Sequence, residues 1–178
     1  MKRLVLIFVL VAGIVVSPFA KAEEPVYASL TDEQIELIRS NCFNIQTQLN
    51  RIHANDGLLR VNLAQHYNAI SSKLMAPMNS RISLNKLDGL ALATTTVDYN
   101  KKIKNFTDAY YQYETTLSKA LSIKCSDQPV EFYDTLTLAR SQRPDVNSEV
   151  AELNKLVRQY IDQFKTFRLG LKANGADV

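Results

Sequence analysis

From Ile35 onward the apolar residues recur at steps of three and four. They run Ile35, Ile38, Cys42, Ile45, Leu49, Ile52, Leu59, Leu63, Ile70 and Leu74, with Asp56 and His66 as the polar members of the same series. A second series runs Leu92, Thr96, Tyr99, Ile103, Phe106, Tyr110, Tyr113, Leu117 and Ala120. The third runs Phe132, Leu136, Ala139, Arg143, Val146, Val150, Leu153, Val157, Tyr160, Phe164, Phe167 and Leu171. A mean spacing near 3.5 residues keeps each series on one side of an α-helix and winds such helices around one another. The pattern predicts an all-α fold, an elongated antiparallel three-helix bundle with helices over about 31–78, 86–124 and 129–172.

Thr31 with Gln34 three residues on forms a capping-box signature for the first helix. Asp88, or Ser83 a turn earlier, opens the second. Ser126 or Asp127 ahead of Pro129 opens the third, since proline suits the first helical turn. Asn174-Gly175 closes it. Asn55-Asp56-Gly57 and Pro144 are helix breakers by type, yet the spacing stays in phase across both, so a loop at either place is unexpected. The first helix is predicted to be continuous, a kink or short interruption is placed near Pro144, and Pro77 is expected to end or bend the first helix.

The amino end changes the charge and the compartment. Met1-Lys2-Arg3, an apolar run from Leu4 to Val16, and Ala20-Lys21-Ala22 have the layout of a secretory signal peptide cut after Ala22. An uncleaved signal anchor is the alternative, and it would be the chain's only route to a membrane. Residues 23–30 then form an extended leader to a single domain over residues 31–175. Removing residues 1–22 takes away Lys2, Arg3 and Lys21 and no acid, which leaves 18 basic against 18 acidic residues. A neutral domain gives no electrostatic reason to bind nucleic acid.

Export makes it natural for the two cysteines, Cys42 and Cys125, to be paired; two separate buried thiols are the alternative. Their midpoint lies between Ser83 and Leu84, inside a run of turn-forming residues, so a hairpin with equal arms of about 41 residues, roughly 62 Å, returns both thiols to one level. The same register sets Asp56 opposite Tyr110, Tyr111 and Tyr113 and brings Arg143 of the third helix to its level. A carboxylate in an apolar series needs a cationic or hydroxyl partner. An Asp56–Arg143 pair that fixes register is predicted, with Arg60 as local competitor and Tyr110 and Tyr113 as supporting hydroxyls. A small polar ligand pocket is the functional alternative.

Catalytic signals are absent at the level of motifs. His53 and His66 lack the spacing of paired metal ligands, and His66 reads as a hydrogen-bonded member of the first series. No nucleophile motif or phosphate loop is present, so neither a metal nor a cofactor is expected. Lys101, Lys102 and Lys104 read as a solvated helix face. The tyrosines either fill the core or form a part-apolar, part-wet interface.

Cys42, Asn55-Asp56-Gly57-Leu58-Leu59-Arg60-Val61, Lys73 to Arg81, Cys125, Phe132-Tyr133-Asp134 and Ala139-Arg140 resemble a group of uncharacterised exported helical proteins of ultrasmall, host-attached bacteria of the Saccharibacteria type. That resemblance implies an extracytoplasmic location and brings no assigned activity with it. Leu30-Thr31-Asp32-Glu33-Gln34 resembles the Leu-Thr-x-x-Gln motif of the Spy and CpxP type of periplasmic chaperone, which implies a chaperone-like role. The expectation is therefore a secreted or envelope-bound, non-enzymatic interaction or scaffolding module acting on a protein partner or on itself. A chaperone-like or small-ligand-binding domain is the second reading.

Overall fold

The computed structural model describes residues 30–173. The signal segment, most of the extended leader and the Asn174-Gly175 stop lie outside them. Four α-helical stretches follow in order: α1 (Asp32–Ala69), α2 (Ala76–Leu84), α3 (Leu90–Ser122) and α4 (Pro129–Ala173), with a π-helical segment, Ile70–Met75, joining α1 to α2 without a break. The result is an antiparallel three-helix bundle stapled by a Cys42–Cys125 disulfide, whose Cα atoms are 5.5 Å apart. Both thiols the sequence offers are used.

Local chemistry explains most boundaries. Thr31 Oγ1 accepts the Gln34 N–H at 3.3 Å, and the Gln34 side chain accepts the Thr31 N–H at 2.9 Å, completing the capping box. At the tip, Gly89 takes the N-cap position of α3, while the Asp88 carboxylate accepts the Leu90 N–H at 3.2 Å. A Cβ on Gly89 would lie 2.5 Å from the Ile82 side chain, so the close turn onto α2 needs a glycine there. Pro129 begins α4, and the Phe132 N–H bonds to the Gln128 carbonyl at 3.0 Å, which makes Gln128 rather than Ser126 or Asp127 the residue that opens the helix.

Pro77 does not end the helical path. Its ring excludes the carbonyl four residues back and it has no N–H to give. The chain does not stop; it winds the turn before Pro77 wider, with the Ala76 N–H reaching the Ser71 carbonyl five residues away. The extra residue rotates the buried face. Ser71 and Met75 are buried after it, whereas Leu74, the predicted continuation of the first apolar series, is left outside. Pro144 produces no interruption either: α4 runs through it as one helix of 45 residues.

The tip falls at Asn85–Gly89 rather than around Ser83, so the arms are unequal. Cys42 and Leu84 are 42 residues apart, Leu90 and Cys125 only 35. The difference, about 10 Å of helix, is partly absorbed by the π segment, which packs more residues into its rise. Ile123, in an extended conformation before Cys125, also lengthens the shorter arm.

The core divides in two. One cluster surrounds the disulfide and is built from Cys42, Tyr110, Tyr113, Leu117, Ala120, Cys125, Phe132, Leu136 and Ala139. The other lies toward the tip, around Tyr67, Met75, Leu92, Tyr99, Phe106, Leu153 and Tyr160. Helices α3 and α4 pack closest, since small residues such as Ala120 and Ala139 let the backbones approach. Helix α1 lies farther out; its buried side chains are Cys42 and Tyr67. The first apolar series is thus only half used, with Ile52, Leu59 and His66 exposed to solvent.

Candidate functional site

The polar groups gather where the two core clusters meet. Asp56 comes from the middle of α1, where Gly57 brings no break because the helix around it is continuous. The Tyr113 hydroxyl donates to Asp56 Oδ2 at 2.8 Å. Arg143 Nη2 stands 3.9 Å from Asp56 Oδ1, with 56% of its side chain exposed against 18% for Asp56. The predicted Asp56–Arg143 pair is present, but its arginine end lies at the edge of the bundle because the long stem carries the head out to water, and the Tyr113 phenol is the buried partner of the carboxylate. Arg60 does not compete for Asp56; its guanidinium lies over the Tyr110 ring, 4.7 Å from the centroid. Tyr110 is buried, with a hydroxyl that has no partner among the described residues. Tyr111, expected opposite Asp56, points to solvent.

These positions respond to substitution unequally. Asp56→Ala strands the buried Tyr113 hydroxyl and should cost about 1–3 kcal/mol. Arg143→Ala, at a half-exposed site, should cost under about 1 kcal/mol. Chemical denaturation of the two variants reads the difference, and equal losses would restore Arg143 as the principal partner.

A second polar cluster, one turn away, was not read from the sequence. His53 Nε2 lies 3.1 Å from Glu114 Oε1 and 3.2 Å from Ser118 Oγ, and the Ser118 hydroxyl donates to Glu114 Oε1 at 3.0 Å. The available signal was Glu114 and Ser118 four apart on one helix face. The His53 contact and then the Ser118 hydroxyl hold the Glu114 carboxyl below its usual range. A depressed carboxyl contributes stability above the usual carboxylate range and loses it as pH falls through the folded value. Serine and acid meet the same ring nitrogen. A nucleophilic device needs the acid on Nδ1 so that Nε2 is free to take the serine proton, and this cluster lacks that arrangement. Lys102 Nζ reaches Glu149 at 2.9 Å and completes the ties between helices.

Toward the tip, two buried hydroxyls tie down the turns on either side of the π segment. The Tyr99 hydroxyl donates to the Tyr67 carbonyl at 3.3 Å, and the Tyr160 hydroxyl donates to Asn79 Oδ1 at 3.0 Å. Burial raises the phenols of Tyr67, Tyr99, Tyr110, Tyr113 and Tyr160 above their ordinary value of 10.0. In the unfolded chain they ionise near that value, so their contribution is complete below it and is lost as pH rises past it. Tyrosinate absorbance from these five is expected to appear together with the loss of helical circular dichroism. Full ionisation with the helices intact would contradict the assignment.

No protein-family model, curated protein or solved structure matches this chain. The functional reading therefore stands on geometry. Among the described residues no group of three metal-binding side chains converges, and no helix is long and apolar enough to cross a membrane. His66, expected as a hydrogen-bonded member of the first series, is exposed on the outer side of α1. What the structure does present is apolar surface. Leu37, Phe43, Leu58, Leu59 and Val61 of α1 are all exposed, Phe43 at 82% and Leu58 at 69%.

Proposed function

We propose that this chain is an exported, non-enzymatic helical module of the cell envelope that works by binding another protein or a second copy of itself. The observation that carries the reading is the state of α1. A helix tied covalently to the bundle, yet leaving Ile52, Leu58, Leu59 and Val61 in water within three turns, is a surface awaiting a partner. A disulfide is what an oxidising compartment permits, which supports export. The polar layer of Asp56, Tyr113 and Arg143 supports a structural role, since such layers inside helical bundles set pairing and register.

A second reading, a chaperone-like or ligand-holding domain, is favoured by one specific feature, an apolar groove between the hairpin tip and α4. The first reading is tested by placing a photo-reactive residue at Leu58 and, as control, at Lys101 on the exposed side of α3, then irradiating the mature protein in its envelope. A discrete protein adduct from Leu58 and none from Lys101 is expected. Failure of Leu58 to form an adduct, or equal labelling from both positions, would remove the reading.

A further inference from the structure

Between the tip of the hairpin and the C-terminal half of α4 the bundle is open. No Cα of the π segment or of α2 comes within 8 Å of a Cα of α4. The Tyr160 hydroxyl bridges the gap at its floor, through Asn79 and the Met75 carbonyl at 3.4 Å. Two adjoining hollows, about 730 Å³ and about 830 Å³, share Met78, Arg81, Phe164 and Arg168 and so form one continuous groove. Its floor is apolar, made by Met75, Met78, Val157, Phe164, Phe167 and Leu171.

Its rim is cationic. Lys73 and Arg81 stand on one wall, and Lys165, Arg168 and Lys172 on the other. No described carboxylate lines either hollow. Lys165 already pairs with Asp162 at 2.8 Å, while Lys73, Arg81, Arg168 and Lys172 have no carboxylate within 4.0 Å among the described residues. In a domain whose charges balance overall, this is a local excess of one sign over an apolar floor.

We infer that this groove receives an amphipathic α-helix of a partner protein whose apolar stripe is flanked by Asp and Glu. The inference rests on the interaction-module reading and names the partner's chemistry at a second surface, away from Leu58. Three features select the occupant. The α4 wall from Val157 to Lys172 is about 23 Å long, which matches four turns of helix. A small molecule needs most of its surface enclosed, whereas this groove is open along its side, as a helix-in-groove site is. Cations on both rims complement acids on both flanks of the stripe, and Met78, half-buried in the floor, adapts to the side chains that enter.

The test uses the oxidised mature chain and fluorescence anisotropy of a labelled helical peptide of about 15 residues, with leucines on one face and glutamates beside them. Saturable binding is expected, together with none of a scrambled peptide of the same composition. In the Arg81→Glu/Arg168→Glu variant both changes are at exposed positions, so the helical circular dichroism should persist. There the glutamate peptide should weaken by roughly tenfold or more, and a lysine-flanked version should gain. Equal affinity of wild type and variant, preference for the scrambled peptide, or no binding would overturn the assignment. So would uptake of oleate without uptake of the helix, which would give the groove to a small amphiphile. If the peptide fails while Leu58 still forms its protein adduct, only the groove assignment falls; if both fail, the interaction-module reading falls with it.

Discussion

Replacing Cys42 and Cys125 together by serine is expected to destabilise the protein by about 4.5 kcal/mol, the chain-entropy value for closing a loop of this length. The bridge spans 83 residues and joins the start of α1 to the turn before α4. Besides the bridge, that part of α1 is held by Ile38, Ile45 and Leu49, which are only partly buried against the disulfide cluster. Cys42 is its only buried side chain there, and the Gln46 amide donating to the Ile123 carbonyl at 2.8 Å is the nearest polar tie. Chemical denaturation of the serine variant, compared with the oxidised protein, measures the loss. A difference below about 1 kcal/mol would mean that the unfolded chain is already held compact by other means.

Phe106→Ala should cost about 3–5 kcal/mol, the range for emptying a large aromatic site in a packed core. Phe106 is 1% exposed. Its ring meets Tyr67 edge-on with centroids 5.5 Å apart, and Tyr110 at 6.4 Å. Tyr67 is the second of the two side chains that α1 buries, so the cavity would open at the point where α1 rests on α3. Thermal unfolding should show a lowered midpoint in one cooperative step. A loss below about 1.5 kcal/mol would show that Tyr67 and Tyr110 collapse into the space.

The helical period carried the fold class and the meeting of Asp56 with Tyr113, because both depend only on which residues share a face and a level; the pairing of Cys42 with Cys125 followed from export, since the arms that return them to one level are unequal. Two features were hidden by the same logic. The π turn at Ile70–Met75 shifts the buried face by one residue, so Leu74 is outside and Met75 inside; a strict alternation of threes and fours contains no term for such a shift. Burial of the first series was overstated, since Ile52 and Leu59 have the right spacing and no neighbour to cover them. Spacing reports a face, not what lies against it.

The site was legible to a lesser degree. Asp56, as a lone acid in an apolar series, announced a polar layer, but its partner was settled by reach. Tyr113 projects its hydroxyl from within the core, whereas Arg143 extends past the carboxylate into water. His53, Glu114 and Ser118 come from two helices and carry no local motif, so their meeting depends on interhelical register to within a single turn. The cationic groove is harder still. Its rims lie on the π segment with α2 and on α4, about 90 positions apart in sequence, and its open side follows from a separation between helices that no periodicity encodes.

One covalent clasp holds α1 against the α3–α4 pair. Hydrogen–deuterium exchange of the oxidised and reduced protein tests this directly, residue by residue. The amides of α1 around Ile38–Leu49 should lose protection on reduction, while those of Tyr99–Phe106 and Leu153–Tyr160, in the tip cluster, keep theirs. Unchanged protection around Cys42, or an equal loss throughout the bundle, would contradict it.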